Sequence, residues 1–171
     1  MKSTSCLADG LARTALVLWL GGLWAIGYLA APVLFAHLPR LQAGEIAGRL
    51  FALIGWIGLV AGAGLLFHAY RNFQAGSRRP QRLGLLGLMW VLAALQLFWF
   101  QPVIADIKAH LPPLGDDVAT LGTEFARWHG ISSAAYLLQS LAGLVLLLLG
   151  GVEREAGRRC SLADPRQKAE V

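Results

Sequence analysis

The chain has 171 residues, of which 56% are hydrophobic and 15% charged, against about 25% charged in an ordinary globular domain. Its formal net charge of +5 invites a nucleic-acid reading, but no recognition motif accompanies the charge. Most of the length lies in long apolar runs, so too little chain remains between them to build a soluble catalytic domain.

Four apolar stretches follow in chain order: Leu11–Phe35, Leu50–Tyr70, Leu83–Ala105 and Gly130–Val152. A span needs ~20 largely apolar residues to match a hydrocarbon core of ~30 Å. Peptide groups in lipid must bond within their own segment unless a barrel closes, so these stretches are predicted helices. The expected fold is all-α, an integral membrane four-helix bundle. It divides into a cytoplasmic N-terminal segment (1–10), a four-span transmembrane domain (11–152) and a charged tail read as cytoplasmic and disordered (153–171). The first span is too long for the ~7–15-residue core of a signal peptide and lacks an A-x-A cleavage site, so it is read as retained.

Gly21, Gly22 and Ala25 give the first span a small-residue surface, and Pro32 lies near its outer end, where it is expected to kink the last turn or to free carbonyls for other donors. The loop then carries His37, Pro39 and Arg40, and Gly44 to Gly48 reads as a short helical approach along the outer surface. In span two Gly58 and Gly62 form a G-x-x-x-G, extended by Gly55 and Gly64, which suits close packing within the bundle or between subunits. His68 at the inner end of this span is expected to be interfacial. Span three carries Gln96 halfway along and Pro102 near its outer end. The next loop, with Pro112, Pro113 and Gly115, leads to Asp116 or Asp117 as the cap of another short helix. Trp128 suits an outer aromatic belt, whereas Trp24 and Trp90 are expected in the core.

The basic residues divide unevenly. Eleven of the 15 (Lys2, Arg13, Arg71, Arg78, Arg79, Arg82, Arg154, Arg158, Arg159, Arg166 and Lys168) fall in the N-terminal segment, the middle loop and the tail. The other two loops hold Arg40, Arg49, Lys108 and Arg127, with Glu45, Asp106, Asp116, Asp117 and Glu124. The positive-inside rule places both termini in the cytoplasm, and the basic face is expected to meet anionic lipid. Cys6 and Cys160 then share the reducing side, which argues against a disulfide.

The chain also echoes itself. Ala31-Pro32-Val33-Leu34 followed by His37-Leu38-Pro39 parallels Gln101-Pro102-Val103-Ile104 followed by His110-Leu111-Pro112. Phe51-Ala52 and Phe125-Ala126 then enter the next spans. Two parallel-repeat helical hairpins about an axis along the membrane normal would produce this pattern, with His37 and His110 as equivalents.

In span four His129, Ser133, Tyr136, Ser140 and Gly143 recur at helical spacing, flanked by Ser132 and Gln139, with Gln96 of span three as the expected partner. Such a stripe is either packing glue between helices or a polar track open to the outside at His129. His37, His110 and His129 are low-weight outer-face ligand candidates for a transition metal or haem, because imidazole and carboxylate donors suit both. No H-E-x-x-H, H-x-x-x-H or cysteine cluster supports them, so no cofactor is assigned. Catalytic signatures are absent: there is no P-loop, no G-x-S-x-G and no Asp, Glu, Lys or Arg deep in a span.

LWLGGLWAIGYLAAPVLFAHLPRLQAGEIAGRLF in the first hairpin and FARWHGISSAAYLLQSLAGLVLL in span four resemble the small four-span family typified by transmembrane protein 205. The resemblance runs from Leu18 to Leu149 and implies a four-helix membrane protein without a settled biochemical activity. A more distant likeness is to the copper-resistance D and membrane-bound protoporphyrinogen oxidase group, whose pattern of histidines within the spans is not present here. The reading is a non-enzymatic protein of the cytoplasmic membrane that supports envelope integrity, transport or assembly, with a homo-oligomer or another membrane protein as partner. A haem- or metal-binding redox component and a small oligomeric transporter or channel are the alternatives.

Overall fold

A computed structural model describes residues 2–71, 79–109 and 118–149. The chain forms α1 (Lys2–Trp24), a π-helical turn (Ala25–Ala30), α2 (Ala31–His37), α3 (Arg40–Arg71), α4 (Arg79–Leu95), a second π-helical turn (Gln96–Phe100), α5 (Gln101–Ala109) and α6 (Val118–Leu148). Span one is α1 through α2, span two is α3, span three is α4 through α5, and span four is α6. Each of the four is long and apolar enough to cross a membrane. The fold is therefore all-α, and no strand occurs among the described residues.

Several boundaries differ from the expected ones. Gly44 to Gly48 are not a separate approach but part of α3, a single 32-residue helix. At ~1.5 Å per residue it is longer than a hydrocarbon core is thick, so its ends extend past the ~30 Å apolar slab. A lone glycine costs a helix only about 1 kcal/mol, which two glycines amid good helix formers do not turn into a break. The same holds at Gly10, so α1 begins at Lys2 and the N-terminal segment is continuous with span one. Likewise α6 runs unbroken from Val118, and among the described residues no separate short helix precedes span four. Asp116, Asp117, His110 and the tail 153–171 lie outside the described residues.

Span one packs along span two, two along three, and three along four, while α6 closes on span one mainly through α1. A seam of large side chains set into small ones holds the arrangement. Trp19, 1% exposed, lies against the glycines of α3. A Cβ at Gly58 would run into its indole, and one at Gly62 would come 2.6 Å from Cδ1 of Trp90 and 3.0 Å from Cη2 of Trp19. The G-x-x-x-G is thus occupied inside the bundle. Trp90 secures the same contact by donating its Nε1–H to the Leu59 carbonyl at 3.0 Å. In span one only Gly22 of the expected small surface faces a neighbour, Ile54, whereas Gly21 and Ala25 are exposed. Trp19, Leu20, Leu23 and Met89 are almost wholly buried.

The two prolines explain the π turns. A proline inside a helix lacks the N–H for its turn, and its ring collides with the carbonyl four residues back, here that of Tyr28 or Phe98. One extra residue in the preceding turn moves that carbonyl away. The Ala31 N–H accordingly reaches five residues back to the Ile26 carbonyl, and the Gln101 N–H reaches the Gln96 carbonyl in the same way. Both prolines sit second in the helix after the π turn, so spans one and three share one local solution at matching positions.

Cations fasten the ends. Arg82 donates to the Leu149 carbonyl at 2.5 Å, meeting the free carbonyls and negative dipole end of span four. At the opposite end Lys108 donates to the Gly44 carbonyl at 3.1 Å and lies 5.8 Å from the centre of the Phe125 ring, linking spans two, three and four. The Arg49–Glu45 pair, 2.7 Å apart and exposed, contributes little by comparison.

The glycine seam yields a direct comparison. Gly58→Ala and Gly62→Ala should each lower stability by about 1–3 kcal/mol through overpacking against Trp19. Gly64→Ala, whose Cβ would meet nothing within 4 Å, should be neutral or slightly stabilising. Thermal unfolding in detergent distinguishes them, and equal midpoints for all three would contradict the seam.

Candidate functional site

A cavity of about 20 Å³ lies near the middle of the bundle, and all four spans contribute to its wall. Its polar lining is Gln96 and Gln101 from span three and Tyr136 and Gln139 from span four. Trp19, Leu23, Phe51 and Ile54 supply most of the apolar remainder. Both π turns border this region: Gln96 is the first residue of one, and the other begins two residues after Leu23. Such turns are frequent where a helix must re-aim side chains at a site.

Tyr136 crosses to span one and donates its hydroxyl to the Leu23 carbonyl at 2.5 Å. Its ring stands edge-on to Phe51, with centroids 5.2 Å apart, and to Tyr28 at 6.4 Å. Gly27 makes the approach feasible, since any Cβ there would collide with the Tyr136 ring. Gln96 and Ser132 form a reciprocal pair: the amide of Gln96 donates to the Ser132 carbonyl at 2.7 Å, and the Ser132 hydroxyl donates back to Gln96 Oε1 at 3.0 Å. Gln139, only 3% exposed, completes the polar wall.

The stripe of span four does not face the bundle along its whole length. Tyr136, Ser140 and Gly143 are inside, but His129 and Ser133 are exposed. The inward face is centred on Ser132 and Gln139, about one residue (~100° of helix) from Ser133. Near Gly143 the flank of the stripe is covered by Leu20 of α1. Farther toward the opposite end α2 packs on α3 instead, which leaves His129 and Ser133 uncovered. The contact of His129 is a parallel stack on Phe125, one turn earlier, with centroids 5.6 Å apart. Ser140 is buried, and its Oγ has no hydrogen-bond partner among the described residues.

Among the described residues the histidines do not gather into a metal-binding group. His37 is exposed at the end of α2, His129 is exposed on α6, and His110 lies outside the described residues. Among the described residues no three His, Cys, Asp or Glu side chains gather closely enough to hold a metal ion. Sequence reasoning passed over Trp19 and Gln101 and gave Gln139 only a flanking place. A signal for Trp19 existed in Gly58 and Gly62, because a two-glycine notch has room for a backbone or a large side chain from a neighbouring helix.

Among known families, the one described as Domain of unknown function (DUF4149) matches residues 14–111, more than half of the chain. The match takes in most of span one and all of spans two and three, with both π turns. No curated protein and no solved structure matches the chain.

The reciprocal pair can be measured. A double-mutant cycle of Gln96→Leu and Ser132→Ala should give a coupling of about 0.6 kcal/mol, and no more than ~1.7 kcal/mol, the range for hydrogen bonds between membrane helices. Additive losses in unfolding free energy would show that the hydroxyl–amide bond contributes nothing.

Proposed function

The chain belongs to the DUF4149 family, and from that premise we propose that it is a non-enzymatic protein of the cytoplasmic membrane, supporting envelope integrity, transport or assembly. The observation that carries this reading is the use the bundle makes of its interior polar groups. Tyr136, Gln96 and Trp90 each donate a bond to another span, and all three bonds reach a backbone carbonyl that already belongs to a helix. Such bonds join helices and leave no activated nucleophile or acid–base pair. Toward the end that carries Arg13, Arg71 and Arg82, the interior is filled by Trp19, Leu20 and Met89. That filling favours a scaffold over a pore through the single bundle.

The finer parts of the proposal rest on sequence. The 11-to-4 division of basic residues supports cytoplasmic termini and contact with anionic lipid. The motifs shared with the transmembrane protein 205 family support placing the chain near that group. Its partner would be a second copy or another membrane protein. One feature favours the transporter alternative, the polar cavity; a substrate path would require Trp19 and Met89 to separate.

Two experiments test the reading. Purified protein should show no Soret band and hold less than one metal ion per chain. A tightly held haem or metal, lost in His37→Ala or His129→Ala, would replace the scaffold reading with a redox one. In a chain lacking Cys6 and Cys160, a cysteine at Gly115 should react with an impermeant thiol reagent in intact cells, and one at Gly76 should not. The reverse pattern would invert the proposed orientation.

A further inference from the structure

We propose that the central cavity is a water-binding site, closed toward the basic end of the bundle, in which a water molecule completes the hydrogen bonding of Gln139, Gln96 and Tyr136. The size fits: about 20 Å³ of cavity exceeds the ~10–15 Å³ that one water requires. The lining fits as well. An apolar void of this volume stays dry, but this one has three glutamine amides and a phenol in its wall.

The donor and acceptor tally specifies the ligand. Tyr136 gives its proton to the Leu23 carbonyl, so toward the cavity its oxygen can only accept. Gln96, after its exchange with Ser132, keeps one N–H and one lone pair. Gln139 is 3% exposed, and its amide brings both donors and an acceptor. A ligand must therefore donate and accept at once, be neutral and be very small. Water meets all of these conditions. An ion does not, because no charged side chain lines the cavity. A lipid ester carbonyl does not, because it offers no proton to the Tyr136 oxygen and brings a larger group with it.

The surroundings make the site a dead end. Trp19, Leu23 and Met89, each about 1% exposed or less, close the interior toward the basic end. Toward the other end, span one turns from α6 onto α3 and leaves a flank of α6 uncovered, which provides the route of exchange with bulk water.

The test uses the full chain, with glutamine side chains and methionine backbone amides labelled with nitrogen-15, in bilayers of lipid with deuterated acyl chains. Magnetisation transferred from water should reach the Gln139 side-chain amide nearly as quickly as that of the exposed Gln42, while the backbone amide of Met89 stays dark. A Gln139 signal as dark as that of Met89 overturns the proposal, and so does one fed only by lipid protons. Gln139→Met supplies an independent sign. If water pairs with the amide, the nearly isosteric methionine loses those bonds and the melting temperature falls by a few degrees. If the amide sits in a dry void, removing it relieves an unmet polar group and the melting temperature rises, which overturns the proposal. Neither result depends on whether the protein acts as a scaffold, so this inference and the functional reading fail separately.

Discussion

A peptide group in hydrocarbon has nothing to bond to except its own chain, and the design of this bundle follows from that constraint. It makes every described element helical, and it also governs how the two prolines are accommodated. Pro32 and Pro102 would each cost a regular helix a hydrogen bond and a steric clash of ~3 kcal/mol or more. The extra residue of the π turn lets the preceding amides, of Ala31 and Gln101, close on carbonyls five residues back. The adjustment also rotates the helix below the turn relative to the helix above it. Spans one and three therefore carry a shift of helical register near the level where Leu23 receives the Tyr136 hydroxyl and Gln96 meets Ser132.

Below that level the bundle has a different logic. Lipid tails are as apolar as leucine, so burying a side chain between spans gains little from the hydrophobic effect, and close packing must supply the association. The two buried glycines of α3 let Trp19 approach its backbone, and Gly143 of α6 does the same for Leu20. The packing is tight because large and small residues are paired across helices. The polar group set into this seam, the Trp90 N–H, is bonded to the Leu59 carbonyl, while Gln96, Gln101, Tyr136 and Gln139 line the cavity on the side of the π turns. The two halves are coupled through Trp19, which fills the glycine notch and also forms part of the cavity wall.

How much of this was legible in the sequence follows from which signals are periodic and which are local. Length and hydropathy identified four spans, because those signals extend over 20 residues or more. The echo between Pro32 and Pro102 located the pair of interruptions, but the π turn itself was hidden. A kink, a freed carbonyl and an added residue are all answers to the same proline, and only the surrounding packing selects among them. The boundaries of α3 and α6 were missed for a related reason, since lone glycines look like breaks in a sequence and cost a long helix little. In span four the polar residues were followed as a stripe, which placed the inward face about one residue too far toward Ser133. The true face includes Phe125, Ala135 and Ala142, apolar residues that are indistinguishable by type from the lipid-facing ones around them. Gln96 stood out because a lone amide in the middle of a span has few explanations. Gln101 did not, because it adjoins a proline near a helix end, where polar residues are ordinary.

The family match adds a last constraint on how the site is divided. Residues 14–111 contain both proline-linked π turns, the glycine notch and Trp19, but nothing of α6. The matched part therefore carries the packed seam and the two π turns, while Ser132, Tyr136 and Gln139 come from a helix beyond it. Without α6 the Leu23 carbonyl would lose the Tyr136 proton, and Gln96 would lose both of its bonds to Ser132. An unpaired amide at that depth is costly in an apolar medium, by ~2–7 kcal/mol on transfer scales. Gln96 thus makes physical sense only as half of a contact with span four, and the fourth span is as necessary to this interior as the three within the matched residues.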